Sequence, residues 1–256
     1  MTRNHFRLFL ILTLGGIAAG GALWLSASMT ADQVVAAEAS GNSLTIGSQA
    51  PAVDVEHWVQ DGKGFFPKVT SFDSGKVYVI EFWATWCGPC VASMPHLAGL
   101  QEKFRGRNMQ LVSVSDEPLD TVEEFLKRET QTEQGEKKTF ADITSAYCLT
   151  TDPDRSVYAA YMDASQQQGI PTAFIVGKSG LVEWIGHPMR MDEPLEQVVT
   201  DTWDRVAFGK AYEAERKFNE LVQTISTLAG TGKFEEALRV IDAVNKSPSP
   251  VCSREA

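Results

Sequence analysis

The sequence predicts an α/β domain with a mixed central sheet, followed by a helical hairpin. A nearly continuous apolar run at Val77–Trp83, typical of a strand covered on both faces, precedes a helical pattern at Cys87–Phe104 and a second buried strand at Met109–Val114. Strand, helix and strand in that order predict a right-handed parallel unit. The segments Ala173–Val176 and Leu181–Ile185 flank a Gly-Lys-Ser-Gly turn, which predicts an antiparallel hairpin and makes the sheet mixed.

Length and composition place the chain among ordinary globular proteins. It has 256 residues, of which 43% are hydrophobic and 22% charged, enough for one or two domains with real cores. This excludes a disordered tail, a disulfide-stapled mini-protein and a collagen-like repeat. The net charge of the chain is −10. Arg3 and Arg7 are the only ionised side chains before Asp32 and contribute +2, so the chain from Asp32 onward has a net charge of −12. Such an excess of acid argues against nucleic acid as a partner.

The first residues have the order of an export signal. Arg3 and Arg7 precede an apolar stretch at Leu8–Ala27, which directs the rest of the chain out of the cytoplasm. The stretch is longer than a secretory core of about 7–15 residues and close to a membrane span of about 20. It is therefore either cleaved or kept as an N-terminal membrane anchor, and the small residues near its end favour cleavage.

The remaining elements of the main domain are shorter. Leu44–Val59 alternates weakly and suits an edge strand or a hairpin. A capping-box match from Asp120 to Glu123 predicts the start of a helix. The polar segment Glu129–Lys138 predicts a surface loop, Ala146–Leu149 a short strand, and Asp154–Ala164 a helix with one apolar face.

The last fifty residues change character. Two apolar stripes at helical spacing are separated by a Gly-Thr-Gly break, which predicts a helical hairpin. Its turn and second helix, Gly232–Val244, resemble part of a tetratricopeptide unit. A single unit of that kind cannot bury its own apolar face, so we expect the hairpin to pack against the main domain.

The chemistry is concentrated at Cys87 and Cys90, which lie directly after a buried strand and at the start of a helix. Unpaired amides and the helix dipole stabilise a thiolate at Cys87, which makes it the nucleophile. Cys90, one turn later, faces back and closes a disulfide, which releases a substrate held as a mixed disulfide. A metal site and a purely structural disulfide remain alternatives, but the chain has no second Cys pair, and Val91 rules out a Cys-x-x-Cys-His haem signature.

The string EFWATWCGPC at 81–90, followed by Gly169–Thr172, resembles the thioredoxin superfamily. Ile46–Pro51 and Trp184–Pro188 make the chain similar to the exported TlpA-like redoxin branch, and the resemblance implies a thioredoxin-like three-layer fold. The chain then divides into a signal peptide or membrane anchor (1–28), a spacer (29–43), a thioredoxin-like domain (44–201, with an insert at about 117–165), the C-terminal hairpin (202–246) and a flexible tail (247–256).

The resemblance implies roles for the residues around the Cys pair. Pro171 corresponds to the family's cis-proline, and an X-Pro bond costs little to hold cis. The backbone of Ile170 is expected to pair with an extended stretch of the substrate. Trp86 corresponds to the family's tryptophan beside the nucleophile, and Gly88 and Pro89 complete the expected substrate-binding surface. His57, His96 and His187 receive no role.

Glu81 occupies the place where thioredoxin has a buried aspartate beneath the second cysteine. Burial raises the pKa of a carboxylic acid, so Glu81 is a candidate to accept the proton of Cys90. The alternative is a side chain that points to solvent at the strand end. Cys148 and Cys252 either form a second disulfide or remain free thiols.

These features predict an extracytoplasmic thiol-disulfide oxidoreductase of the cell envelope or periplasm, without metal or organic cofactor. The Gly-Pro pair between the cysteines is that of thioredoxin, whose potential of about −270 mV favours a reductase. The family resemblance implies disulfide-bearing exported proteins as substrates and a membrane thiol carrier as electron donor. Two alternatives remain open: a peroxide-reducing redoxin, and a non-catalytic binding module with a structural disulfide.

Overall fold

The structure, a computed structural model, describes residues 43–132 and 135–246, all of which lie in one compact unit. The predicted leader at 1–28, the tail at 247–256 and Cys252 fall outside the described residues, as does all of the spacer except its last residue. Within the described ranges, no helix is both long enough and apolar enough to cross a membrane.

The strands are β1 (His57–Asp61), β2 (Val77–Trp83), β3 (Met109–Ser115), β4 (Glu129–Gln131), β5 (Lys137–Thr139), β6 (Cys148–Thr151), β7 (Thr172–Val176) and β8 (Val182–Gly186). Six of them form one mixed sheet in the order β1-β6-β3-β2-β7-β8, and β4 pairs separately with β5. The helices are α1 (Gly88–Phe104), α2 (Leu119–Leu126), α3 (Phe140–Thr144), α4 (Ser156–Tyr158), α5 (Asp192–Val199), α6 (Arg205–Gly230) and α7 (Phe234–Lys246).

Strand β2 lies between β3 and β7 within the sheet, and its side chains are buried on both faces. Every residue from Val77 to Trp83 is buried, as the apolar run predicts. The strand pairs in parallel with β3 and antiparallel with β7, and this register sets Glu81 beside Ser113 on one side and Ala173 on the other. The mixed sheet predicted from the sequence is therefore confirmed.

Two cores lie on opposite faces of the sheet. The first contains Val79 and Trp83 of β2 together with α1, α2 and α5, and Cys87 and Cys90 belong to it. The second contains the alternate residues of β2 with the N-terminal segment and the residues after α4. The predicted three-layer, thioredoxin-like arrangement is confirmed.

The predicted start of helix α2 was wrong. The helix begins at Leu119, directly after Pro118, and the Asp120 carboxylate accepts a hydrogen bond from the Thr121 backbone N–H instead of capping the helix. The proline favours this earlier start because its ring fixes a φ of −56° and it has no N–H to satisfy. A true capping box occurs at the start of α3, where Thr139 and Asp142 bond each other reciprocally.

Three other boundaries differ from the sequence prediction. Glu129–Lys138 is not an irregular loop, because β4 and β5 pair antiparallel within it. The strand predicted at Ala146–Leu149 begins two residues later, at Cys148. The helix predicted at Asp154–Ala164 has only one α-helical turn, α4, and continues as a π-helical turn at Ala159–Asp163.

The C-terminal hairpin forms, but it packs on the domain only in part. Near the start of α6, the Arg205 guanidinium lies 2.8 Å from the Glu183 carboxylate, and the Tyr212 hydroxyl accepts a 3.0 Å hydrogen bond from Gln167. Beyond this docked half, α6 pairs with α7. The exposed apolar side chains of the outer half are Phe218, Val222, Phe234, Leu238, Ile241 and Val244. The expectation that the hairpin packs against the main domain is therefore confirmed only for the first half of α6, where Phe208 and Tyr212 are partly buried against the two cores.

Candidate active site

The Cys pair is held where β2 turns into α1. Cys87 is the N-cap of the helix, and its Sγ accepts a hydrogen bond from the backbone N–H of Cys90 at 3.2 Å. Pro89 lies in the first turn, where its missing N–H leaves no helical bond unmade. The two sulfurs form a disulfide with an S–S distance of 2.03 Å and a Cα–Cα distance of 5.2 Å.

A loop far along the chain faces this disulfide. The Ile170–Pro171 peptide bond is cis, and the carbonyl oxygen of Ile170 lies 3.7 Å from the Sγ of Cys87. The Thr172 hydroxyl donates a 2.7 Å hydrogen bond to the carbonyl of Gly169, which ties the loop across the proline. The fold thus brings together the Cys pair and the two loop residues that the resemblance implied.

The surface around the disulfide is uneven. Trp86 is 74% exposed, and Gly88 and Pro89 are also exposed, whereas Cys87 is only 4% and Cys90 1% exposed. Cys87 is therefore surrounded by more exposed neighbours, and Cys90 is the less accessible of the two cysteines. This arrangement lets a partner reach Cys87 first.

Glu81 is 1% exposed and lies on the face of β2 that carries Val79 and Trp83, so the solvent-facing alternative is excluded. The Ser113 hydroxyl donates a short hydrogen bond to one carboxylate oxygen, and the other oxygen has no hydrogen-bond partner among the residues that the structure describes. Burial raises the pKa of Glu81 to about 8, against the lowering effect of the Ser113 bond.

Tyr147 extends this buried polar environment. Its side chain is fully buried, and within the described part of the chain its hydroxyl has no hydrogen-bond partner. Desolvation, and after it the nearby Glu81 charge, raise its pKa well above the ordinary tyrosine value. The phenol is therefore neutral near pH 7 and adds no second negative charge beside Glu81.

Glu117, which was not predicted from the sequence, positions the loop before the Cys pair. Its two carboxylate oxygens accept hydrogen bonds from the backbone N–H and the hydroxyl of Thr85, each at 2.7 Å. Glu117 follows β3 and Thr85 follows β2, and neighbouring parallel strands end at the same edge of a sheet. A carboxylate just after the second buried strand was the signal available in the sequence.

A groove of about 330 Å³ opens beside Trp86 and Ile170. The predicted insert supplies part of its wall, because Arg155 and Tyr158 line it. The Arg155 guanidinium lies 4.1 Å from the Tyr158 ring centroid and forms a close ion pair with Asp116. The insert thus borders the surface that carries the Cys pair.

Cys148 is buried within β6, where the side-chain amide of Gln110 lies 3.3 Å from its Sγ. Burial raises its pKa to about 11, so it remains a protonated thiol near neutral pH. In the residues described, no three His, Cys, Asp or Glu side chains are grouped as a metal site would require.

A disulfide at the start of a helix, opposite a cis-proline on this sheet, is the mark of the thioredoxin-fold thiol-disulfide oxidoreductases. The chain belongs to the AhpC/TSA family, whose model matches residues 46–185.

Two relatives in sequence carry names of this class, HelX and ResA. The thiol:disulfide interchange protein HelX of Rhodobacter capsulatus is 30% identical over 169 residues, covering 64% of this chain and 78% of HelX. The thiol-disulfide oxidoreductase ResA of Bacillus subtilis is 28% identical over 145 residues, covering 56% of this chain and 68% of ResA. The crystal structure of a thioredoxin-family thiol:disulfide interchange protein from Chlorobium tepidum matches with a TM-score of 0.43 and 22% identity, over 60% of this chain and 97% of that one.

Proposed function

We propose that this protein is an extracytoplasmic protein-disulfide reductase that works by dithiol-disulfide exchange at Cys87 and Cys90. The observation that carries the proposal is the disulfide at the start of α1, with the Sγ of Cys87 3.7 Å from the carbonyl oxygen of Ile170. A substrate segment that pairs with the Ile170 backbone would bring its own sulfur next to Cys87. The Gly-Pro pair between the cysteines supports the reducing direction.

The reaction starts from the dithiol form. The Cys87 thiolate attacks one sulfur of the substrate disulfide, the substrate S–S bond breaks, and the released substrate thiolate takes a proton from water. Cys90 then loses its proton and attacks the Cys87 sulfur, which releases the second substrate thiolate. Two electrons have passed to the substrate, and the Cys87–Cys90 disulfide is the oxidised product.

Glu81 is the proposed acceptor of the Cys90 proton. Its carboxyl lies on the same face of β2 as the core that contains Cys90, and its pKa of about 8 suits exchange of a proton with a thiol near neutral pH. In its ionised form, whose share grows as the pH approaches 8, the carboxylate can receive that proton on the oxygen that has no hydrogen-bond partner among the described residues. The proton then passes to the departing substrate thiolate or to water.

The proposal places the enzyme outside the cytoplasm on the basis of its leader, Arg3 and Arg7 followed by Leu8–Ala27. In that compartment it needs a donor of two electrons, and a membrane thiol carrier is the proposed source. Fractionation of cells that express the full chain, combined with protease accessibility, tests the location. A chain recovered only from the cytoplasm would contradict this part of the proposal.

Insulin reduction tests the activity. The wild-type protein, kept reduced by dithiothreitol, should accelerate insulin precipitation, and Cys87→Ser should abolish the acceleration. Cys148→Ser is the matched control, because that thiol is buried in β6 and should not contribute. Equal rates for wild type and Cys87→Ser would overturn the proposal, and the binding-module alternative would then gain support.

Peroxide reduction is the second candidate. The family match begins at Ile46, and the string Ile46–Pro51 also resembles that of peroxide-reducing redoxins. A peroxidase would turn over hydrogen peroxide with a rate that depends on Cys87 and not on Cys90. We expect insulin reduction to need both cysteines and peroxide turnover to be negligible.

Stopped-flow kinetics of the mixed-disulfide step test Glu81. In Glu81→Gln, resolution by Cys90 should slow by about 100-fold or more near pH 7, as for loss of a general base, while the initial attack by Cys87 is unchanged. The wild-type resolution rate should rise as pH approaches 8, and the variant should lose that dependence. Equal resolution rates in the two proteins would remove Glu81 from the mechanism.

A further inference from the structure

A second cavity, of about 540 Å³, lies between α6 and the main domain. Its domain side is formed by the segment Ser165–Gln168 and the end of β8 through His187, with Arg190 beyond. Its α6 side is one face of the helix, from Phe208 to Gln223. We call this recess the α6 cleft. Its volume falls in the range of about 300–1,000 Å³ that is typical of ligand-binding sites.

The α6 cleft adjoins the substrate surface. Gln168 lines both this cleft and the groove beside Trp86, and Ile170 follows two residues later. The antiparallel register of β7 and β8 sets Gly186 opposite Ala173, so His187 and Pro171 lie at the same edge of the sheet. A chain paired with Ile170 and extended past Gln168 would therefore enter the α6 cleft.

The wall formed by α6 is fixed in place. The Tyr212 hydroxyl accepts a 3.0 Å hydrogen bond from Gln167, and the Thr45 hydroxyl donates a 2.7 Å bond to Glu213. Arg205 pairs with the largely buried Glu183 at the start of the helix. These contacts hold α6 against the main domain. The helix lies outside residues 46–185, the part of the chain that the family model matches.

The lining of the cleft suits a polypeptide backbone. Side-chain amides of Gln166, Gln168, Asn219 and Gln223 offer both donors and acceptors. Arginines and glutamates face the same space, so no single sign of charge dominates. Indole and phenyl groups, from Trp184 and Phe208, add apolar surface. A backbone with mixed side chains can use all three kinds of contact, whereas a simple anion or a lipid chain uses only one.

We propose that the α6 cleft binds the extended polypeptide on one side of the substrate's reacting cysteine, and thereby selects disulfides that lie in unfolded segments. This inference rests on the proposed function, since it describes how the same site recognises its substrate. It makes α6 part of the substrate-binding surface and predicts that small disulfides gain nothing from the cleft.

The test fills the cleft and compares substrates. Asn219→Trp places a bulky side chain in the cleft, and Ala214→Trp places the same group on an exposed part of α6 that does not line it. The probes are 5,5′-dithiobis(2-nitrobenzoate) and two short peptides with a terminal cysteine held as a mixed disulfide with thionitrobenzoate. One peptide extends only on the N-terminal side of its cysteine, and the other only on the C-terminal side.

We expect Asn219→Trp to lower the ratio of peptide to small-disulfide kcat/KM by about fivefold or more for one of the two peptides, through KM. Ala214→Trp should leave both ratios at the wild-type value. Unchanged ratios for both peptides in Asn219→Trp would overturn the inference while leaving the proposed function intact.

A binding measurement separates the two proposals. Fluorescein-labelled versions of the peptides, with serine in place of cysteine, report affinity by anisotropy without redox chemistry. Weaker binding to Asn219→Trp than to Ala214→Trp supports the cleft even if wild-type protein reduces nothing, in which case only the proposed function fails. Equal binding to both variants overturns the inference.

Discussion

The core around the Cys pair and the C-terminal hairpin both contain regular patterns of apolar residues, yet they differ in what covers those residues. Every residue of β2 is buried, whereas α6 has no buried residue along its 26 positions. An apolar stripe therefore predicts that a helix forms, but not that a partner surface exists. The sheet is covered because helices lie on both of its faces, and the outer hairpin has only itself.

The two regions also treat carboxylates differently. The core encloses Glu81 with a single hydrogen bond from Ser113, and its pKa rises to about 8. The carboxylates of α7, such as Glu235, lie at the exposed surface. Burial in the core therefore destabilises the ionised carboxylate of Glu81, whereas a carboxylate on the hairpin stays in contact with water.

The largest expected effect is a pH dependence of stability from Glu81. Below pH 4.5 the carboxyl is protonated in both the folded and the unfolded chain, and between 4.5 and about 8 only the folded chain keeps the proton. Stability from this group is therefore present at low pH and lost as pH rises through 8, by about 5 kcal/mol in total. Urea unfolding of wild type and Glu81→Gln from pH 5 to pH 9 measures the difference.

Glu235→Gln is the control, because it makes the same substitution at an exposed surface position. Parallel profiles for wild type and Glu81→Gln would contradict the burial of an uncompensated carboxyl.

Replacement of a phenylalanine by alanine should lower the free energy of unfolding far more in the core than on the hairpin. Phe104 is 0% exposed in the core, and Phe104→Ala should lower the free energy of unfolding by about 3–5 kcal/mol. Phe234 is 63% exposed on the hairpin, and Phe234→Ala should stay within about 0.5 kcal/mol of wild type. Chemical denaturation followed by circular dichroism gives both values. A similar loss in the two variants would mean that the hairpin face is covered in solution.

The smallest expected effect distinguishes the docked and outer halves of the hairpin. Arg205→Ala leaves the Glu183 carboxylate largely buried and unpaired, which should cost about 1–3 kcal/mol. Lys233→Ala removes an exposed pair with Glu236 at 3.9 Å, worth less than about 0.5 kcal/mol. Hydrogen exchange of α6 should quicken near residue 205 only in the first variant. Unchanged exchange there would show that other contacts hold the docked half.

Local patterns predicted the central sheet and the Cys pair well. The apolar run of β2 and the Cys-x-x-Cys at the start of α1 are continuous segments whose burial and capping depend on neighbouring residues. The short strands β4 and β5 were missed because their exposed, charged residues have no apolar alternation. The capping box from Thr139 to Asp142 is also a local pattern, and it was missed although its two residues are only three positions apart.

Long-range geometry was not readable from local pattern. Ile170 lies 83 positions from Cys87, and only the family resemblance placed the two together. The clamp of Glu117 on Thr85 and the α6 cleft depend on polar side chains at loop and surface positions. Such residues have no periodicity, so their convergence follows from the tertiary fold alone.

Helix α6 is one unbroken rod of 26 residues, about 39 Å long at 1.5 Å per residue. Its residues from Phe208 to Gln223 form a wall of the cleft beside Gln168, and its last residues lead into α7. A rod of this kind acts as a lever arm. Any load on α7, whether a tether or a neighbouring molecule, exerts a torque on the wall beside the thiol pair.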